Sequence, residues 1–224
     1  MADVSEFAKQ RRNVVASLER LGYLTDEKVK KSITKVRRED FVPKEYFESA
    51  YIDTPLSIPG NATISAIHMH AISLSALKLK SGEKFLEIGA GSGILLAYVK
   101  EIVGQKGKVF GIEFSKETYE FAKENLDRAG YANKVKLICG DGSQGLPDEA
   151  PFDKVLISAA SPDVPEPIKE QVKAGGVVVA VIGPPRGDQE LVCFEKKNDG
   201  SWKKKNLGGV IYVPLLGKFG WHEQ

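Results

Sequence analysis

Lys84-Phe-Leu-Glu-Ile-Gly-Ala-Gly-Ser-Gly93 is the stretch whose reading decides the fold. Its first half, Lys84 to Ile88, reads as a short buried strand, after which glycines stand at positions 89, 91 and 93. Glycines this close together cost chain entropy and belong where the backbone turns tightly and comes near a ligand. Ile94-Leu-Leu-Ala-Tyr-Val99 then continues the apolar pattern in residues that are mostly good helix formers. Strand, glycine turn and helix N-terminus together predict the ligand-facing corner of a doubly wound, mostly parallel α/β sheet.

Nicotinamide, flavin and sulfonium cofactors all use such turns, so the neighbouring residues must separate them. A dinucleotide turn is spaced G-x-G-x-x-G; here the third glycine comes one residue early and Ile94 takes the expected position. Glu87, two residues before Gly89, would repel a pyrophosphate and attract an ammonium or sulfonium group. S-adenosyl-L-methionine carries both, so charge complementarity favours it over NAD. Glu113 ends the run Val109-Phe-Gly-Ile112, where a carboxylate accepts hydrogen bonds from both ribose hydroxyls. Asp141 follows Val135-Lys-Leu-Ile-Cys139 and is expected to meet the adenine amino group. Three acidic residues at three successive strand ends make one site.

The 224 residues suit a single domain, 1–224. Within it, 1–60 reads as a helical cover and loop, 61–183 as the cofactor-binding core, and 184–224 as a hairpin and extended edge. A net charge of +2 does not suggest a nucleic-acid partner or an anionic membrane surface. Lys203-Lys204-Lys205 reads as a solvated edge strand or hairpin. Cys139 and Cys193 lie in apolar strand-like runs and are expected to be buried free thiols, with no metal spacing between them. No apolar stretch reaches transmembrane length, and the first twelve residues lack a signal-peptide core. The expectation is a cytoplasmic monomer without a metal, a membrane or a nucleic acid.

Along the chain, Phe7, Val14, Val15, Leu18 and Leu21 fall at helical spacing before Gly22, and Asp26 to Val36 predicts a second helix. Pro43 breaks the next segment, and Tyr51 to Gly60 reads as a proline-restricted loop. Thr63 and Ser65 stand where an N-cap is expected for a helix over 71–79, whose start is able to fold back over the crevice. His68 and His70 are two apart, so they cannot form a metal pair on one helix face. His70 is expected beside the site or in the semi-core, and His68 in solvent. After the glycine turn, strand and helix alternate: Ser115 caps a helix, Asp153–Ala159 forms a strand, and Ala160-Ser161-Pro162 reads as its ligand-facing loop. A short helix after Pro165 leads to the strand Val177–Ile182, and Asn198-Asp199-Gly200 turns an antiparallel hairpin. Val210–Leu216 reads as a further strand or extended edge, since Pro214 argues against a central position.

Several segments together resemble the protein-L-isoaspartate (D-aspartate) O-methyltransferase family. They are Arg38-Glu-Asp-Phe-Val-Pro43, Ala62-Thr-Ile-Ser-Ala66 with His-Met-His70, Leu86-Glu-Ile-Gly-Ala-Gly-Ser-Gly93, Gly140-Asp-Gly142, Ala150-Pro-Phe-Asp153 and Gly209-Val-Ile-Tyr-Val-Pro214. The glycine segment is common to very many methyltransferases, whereas Thr-Ile-Ser points to this family in particular. The resemblance implies a Rossmann-like class I methyltransferase fold with an N-terminal helical cover and an antiparallel C-terminal strand pair. It also implies S-adenosyl-L-methionine as cofactor, S-adenosyl-L-homocysteine as product, and proteins and peptides with L-isoaspartyl residues as substrates. Ser65 takes the catalytic or orienting position. Ala62, Thr63, Ile64, Ser65, His70, Glu87, Gly89, Gly91, Ser92, Gly93, Glu113, Asp141 and Gly142 are assigned to the cofactor. Thr63, Ala159, Ala160, Tyr212 and Val213 are expected to meet the peptide. Ile67 departs from the family's usual proline, and Asn61-Ala62 from a frequent glycine-glutamine pair. Two other readings compete: a cofactor-binding adaptor without methyl transfer, and a methyltransferase for another acceptor.

Overall fold

The computed structural model describes residues 4–221, so the outermost parts of the 1–60 and 184–224 segments lie outside it. Val4–Arg20 (α1) and Glu27–Lys35 (α2) pack on each other, and α2 lies on the helices Ile67–Leu77 and Ile94–Val103 that flank the sheet. Asp26 caps α2, its Oδ1 accepting from the N–H groups of Lys28 (2.7 Å) and Val29 (3.3 Å). Leu21 departs from expectation and is 60 % exposed. The helix ends at Arg20 and the chain reverses at Gly22, which carries Leu21 off the buried face.

The expected loop before Gly60 contains a hairpin instead. Leu56–Ile58 (β1) pairs antiparallel with Ala62–Ile64 (β2) across a turn in which Gly60 and Asn61 both have positive φ, 82° and 57°. The next helix, Ile67–Leu77 (α3), begins after Ala66 with no side-chain cap. Thr63 therefore lies in a strand and Ser65 in the connection that follows, and neither caps the helix.

From there the chain alternates as expected: Lys84–Ile88 (β3), Ile94–Val103 (α4), Lys108–Glu113 (β4), Lys116–Arg128 (α5), Lys136–Cys139 (β5), Phe152–Ser161 (β6), Glu166–Glu170 (α6) and Val172–Ile182 (β7). Gln189–Lys196 (β8) and Trp202–Val210 (β9) close the sheet. The strand order is β5-β4-β3-β6-β7-β8-β9, with β3 to β7 parallel and the last two pairings antiparallel. The lysine run 203–205 lies on the outer strand β9, where charge discourages further pairing.

Two apolar layers flank the sheet, and β3 feeds both: Phe85 faces the layer formed with α1 to α4, while Leu86 and Ile88 face the other. Cys139 departs from expectation by being exposed, at the end of the edge strand β5; Cys193 is half-buried. The strand β6 runs through Ser161, so Ala160 and Ser161 are ladder residues rather than a loop. Residues 211–216 form no strand; they run beside the end of β6 through one bridge, Ala160 with Pro214. That contact uses the Val213 carbonyl and the Leu215 N–H (2.8 Å each), so the missing N–H of Pro214 costs nothing.

Gly111 sets how closely α4 approaches β4. A Cβ there would lie 2.6 Å from Leu96 Cδ1 and 3.2 Å from the Ala90 Cβ. Gly111→Ala is expected to destabilise the fold by about 1–3 kcal/mol through overpacking. The check is thermal melting, where each kcal/mol lowers Tm by about 2–4 °C in a chain of this size; an unchanged Tm would mean that α4 yields freely.

Candidate active site

Strand order reverses at β3, which has β4 on one side and β6 on the other, and the crevice opens at its carboxyl end. Gly89, Gly91 and Gly93 have φ of 79°, 54° and 82°, conformations that disfavour side chains. Hydrogen bonds tie this turn to the end of β4. The N–H groups of Gly89 and Ala90 donate to the Ile112 carbonyl (2.9 and 3.1 Å), and the Gly91 N–H donates to Glu113 Oε2 (2.9 Å). Glu113 Oε1 accepts from the Ser115 N–H (3.1 Å), and Ser115 in turn caps α5 by accepting from the Thr118 N–H (3.3 Å).

Around this turn lies a cavity of about 530 Å³. Of the residues singled out in the sequence it gathers Ala62, Thr63, Ile64, Ser65, His70, Glu87, Gly89, Gly91, Ser92, Glu113, Gly142, Ala159, Tyr212 and Val213. Gly93, Ala160 and Asp141 do not line it. Gly93 instead lets α4 pack on α5, since a Cβ there would meet Leu126 Cγ at 3.1 Å. Ala160 is fully buried, with its N–H and carbonyl bonded to Val213 and Leu215. Asp141 accepts from the Ser143 N–H (2.9 Å), the Ser143 hydroxyl (2.6 Å) and the Lys218 N–H (2.9 Å). Burial acts to raise its pKa, but these bonds outweigh it and hold the carboxyl below its ordinary value. Its carboxylate thus fastens the C-terminal segment, and neighbouring Gly142 lines the cavity instead.

Glu87 is buried; its Oε1 accepts from the Ser158 hydroxyl (3.1 Å), while Oε2 has no hydrogen-bond partner. Burial pushes its pKa well above the ordinary value, Ser158 opposes this, and Glu113 adds to it. Glu113 is also raised by burial, against the bonds from the Gly91, Ser115 and Phe114 backbone. His70 is buried edge-on to Tyr98 with ring centroids 5.7 Å apart, and its Nδ1 lacks a partner. Burial, then Arg38, then His68 push its pKa well below the usual histidine value, so it stays neutral. His68 does not simply meet solvent: its N–H donates to Asp53 Oδ1 (2.9 Å), and its Nδ1 lies 3.0 Å from Oδ2.

Ser65 Oγ donates to the Tyr212 hydroxyl (3.2 Å), and the Ser65 carbonyl accepts from Arg38 Nη2 (2.9 Å). Arg38 is 1 % exposed and forms no ion pair among the described residues. Thr63, Ser65 and Tyr212 also border a second groove, whose other walls include Pro55, Met69, Gln189, Glu190 and Ile211. These three residues form the neck between the two spaces. Sequence reasoning missed Arg38, Gln189, Ser158 and Phe114. For Phe114 a signal existed, an aromatic residue directly after a strand-end acid; it is 44 % exposed and lines the cavity.

A mostly parallel seven-stranded sheet, a glycine turn and two buried carboxylates at adjacent strand ends define a class I, S-adenosylmethionine-type methyltransferase fold. The family model of protein-L-isoaspartate(D-aspartate) O-methyltransferase matches residues 9–220. The chain belongs to the protein-L-isoaspartate (D-aspartate) O-methyltransferase family. It is 48 % identical over 216 residues to the protein-L-isoaspartate O-methyltransferase of Methanococcus aeolicus, covering 96 % of this chain and 98 % of that one. It is 44 % identical to that of Pyrococcus horikoshii over the full length of both. A solved protein-L-isoaspartate O-methyltransferase superposes with a TM-score of 0.84 at 29 % identity, covering 94 % of this chain and 67 % of that one. A Plasmodium falciparum protein assigned the same activity, solved in complex with S-adenosyl-L-homocysteine, gives 0.82 at 27 % identity, covering 92 % and 98 %.

Glu87 gives a pH-dependent prediction. Its folded pKa lies above the ordinary 4.5. The stability it contributes is therefore full below that value and is lost as pH climbs towards the folded pKa. At pH 7 Glu87→Gln is expected to raise the ligand-free Tm by about 2–4 °C and to weaken S-adenosyl-L-homocysteine binding at least about tenfold. Melting curves at pH 4.5 and pH 7, with calorimetric titration of the ligand, check both; tight binding by the variant would remove Glu87 from the cofactor site.

Proposed function

We infer that the chain transfers a methyl group from S-adenosyl-L-methionine to the free α-carboxylate of L-isoaspartyl residues in damaged proteins and peptides. The resulting methyl ester collapses to a succinimide, which starts repair. The observation that carries this reading is the neck at Thr63, Ser65 and Tyr212, residues shared by a cavity with acidic walls and a second, more open groove.

The residues present fit the cofactor. Glu87 Oε2 is a buried carboxylate oxygen that lacks a partner, and an ammonium group would supply one. Glu113 accepts from Gly91 on one oxygen and from Ser115 on the other, and a carboxylate with about four acceptor sites has lone pairs left for ribose hydroxyls. Phe114 and Gly142 offer an apolar face and a close backbone approach to a base. When bound, S-adenosyl-L-methionine supplies a methyl group already activated by its sulfonium.

The chain's own task is then positional. An isoaspartyl carboxylate, with a reference pKa near 4, is ionised at neutral pH, so no strong general base is required. Buried His70, its pKa held well below the usual histidine value, is a weak base in any case. Ser65 donates a hydrogen bond that orients the acceptor without neutralising it as a cation would. Holding the acceptor at near-attack distance is worth several orders of magnitude in effective concentration. A normal aspartyl carboxylate sits on a shorter arm, displaced by about one methylene. The peptide path is read by backbone along the groove and residues 212–215. We take the protein to work as a single-domain cytoplasmic monomer, and its net charge of +2 speaks against a nucleic-acid partner. No helix among the described residues is long and apolar enough to cross a membrane.

Two peptides that differ only in an L-isoaspartyl or L-aspartyl linkage test the reading with labelled S-adenosyl-L-methionine. Base-labile label on the isoaspartyl peptide alone is expected; transfer to neither peptide, with cofactor bound, would return weight to a binding adaptor. Ser65 caps no helix here, so Ser65→Ala is expected to lower kcat/KM by about tenfold or more while leaving Tm nearly unchanged.

A further inference from the structure

We propose that the Tyr212 phenol is a second hydroxyl donor to the acceptor carboxylate, paired with Ser65 across the neck between cofactor cavity and peptide groove. The proposal rests on the isoaspartyl reading above. The Ser65 and Tyr212 hydroxyls come from distant elements, one after β2 and the other after β9, yet meet at 3.2 Å. Ser65 donates in that contact, and the phenolic hydrogen is unused among the described residues; each hydroxyl carries one rotatable hydrogen, so an entering carboxylate takes both, the Ser65 hydrogen swinging from the Tyr212 oxygen to the acceptor. A carboxylate offers two oxygens with several acceptor sites, so two hydroxyls side by side match it better than one.

Each hydroxyl is held from behind by a buried polar side chain. Arg38 fastens the Ser65 carbonyl (2.9 Å). Gln189, 3 % exposed, fastens Tyr212: its Oε1 accepts from the Tyr212 N–H (2.7 Å), and its Nε2 donates to the Tyr212 carbonyl (3.1 Å). The amide of Gln189 thus acts as a substitute strand neighbour just past the end of β9 at Val210. Burying an amide and a guanidinium is costly, and here both go to fixing the backbone of the two hydroxyl-bearing residues. Burial raises the Tyr212 pKa, the Ser65 bond opposes this and Glu87 adds to it, so the phenol keeps its proton at neutral pH.

Tyr212→Phe removes the oxygen and keeps the ring. The proposal expects kcat/KM for an isoaspartyl peptide to fall about ten- to a hundredfold, the loss of a hydrogen bond to a charged group. Affinity for the same peptide, read by fluorescence anisotropy on S-adenosyl-L-homocysteine-loaded protein, should weaken in parallel, while the affinity for that ligand and Tm stay unchanged. The Ser65→Ala/Tyr212→Phe double variant should lose less than the product of the single losses, because the two hydroxyls share one ligand. Activity and peptide affinity of Tyr212→Phe within about twofold of wild type would overturn the proposal alone. A loss confined to S-adenosyl-L-homocysteine affinity would overturn it too, by moving Tyr212 to the cofactor. Wild-type protein that binds S-adenosyl-L-homocysteine but leaves isoaspartyl peptides unmethylated would overturn the underlying reading and the proposal with it.

Discussion

The Glu113 carboxylate, bonded to the N–H groups of Gly91 and Ser115, is the tie on which the site depends. One oxygen fixes the glycine turn after β3, and the other fixes the start of α5 after β4. The N–H groups of Gly89 and Ala90 hold the start of the turn to Ile112, and Glu113 adds the tie at Gly91, where glycine has more conformational freedom to lose than any other residue. A carboxylate 8 % exposed needs such donors, since burying a charge without hydrogen bonds is costly. The same group therefore braces the mouth of the cavity and keeps lone pairs free to meet a ligand.

Charge is divided between the two ends of the crevice. Glu87 and Glu113 place two acidic side chains on the cofactor side, and the unpaired Oε2 of Glu87 is a deficit that a cation removes. The neck holds hydroxyls instead, from Thr63, Ser65 and Tyr212. Arg38 approaches this neck from inside, but its guanidinium is turned to the Ser65 carbonyl rather than into the groove. An anionic acceptor would therefore meet donors that orient it and no lysine or arginine that would form a tight ion pair with it. The positive charge of Arg38, after burial, also helps to keep His70 neutral, so the ring adds no cation beside the acceptor.

What was legible in the sequence is what short-range chemistry controls. Strand β3, its glycine turn and α4 follow from apolar runs and backbone freedom, and the Ser115 cap and the C-terminal hairpin follow from local side-chain and turn preferences. Thr63 and Ser65 were rightly drawn to the crevice but for the wrong local reason, because the β1-β2 hairpin, signalled only by Gly60-Asn61, absorbs the segment that a cap would have used. Cys139 and Leu21 were misread because burial depends on which strand lies at the edge and where a helix stops, and neither is encoded in the apolar pattern itself. Asp141 has a structural partner that the sequence did not announce. Its competitor for hydrogen bonds is Lys218, 77 residues away in sequence, and no local pattern announces that contact. Arg38 and Gln189 look like surface residues by type, and only the assembled fold gives their polar atoms something to hold.

The path of the C-terminal segment joins these points. After β9, at one edge of the sheet, the chain turns back across the carboxyl ends of the strands. It pairs with Ala160 at the end of β6 and reaches the turn after β5, at the opposite edge. The N–H groups of Leu215 and Lys218 donate to Ala160 and Asp141, and that of Phe219 donates to the Ser143 hydroxyl (3.0 Å). Each such bond is worth about 1 kcal/mol net, while ordering each residue of the segment costs about 1–2 kcal/mol. Hydrogen bonds alone therefore do not hold it down, and Leu215, 4 % exposed, provides the apolar anchor between them. Because residues 212–216 line the cavity, the segment that presents Tyr212 to the neck also forms one wall of the cofactor space. A ligand filling that space would therefore touch the same segment that carries Tyr212, and the fixed backbone of residues 212–216 serves the cofactor wall and the neck at once.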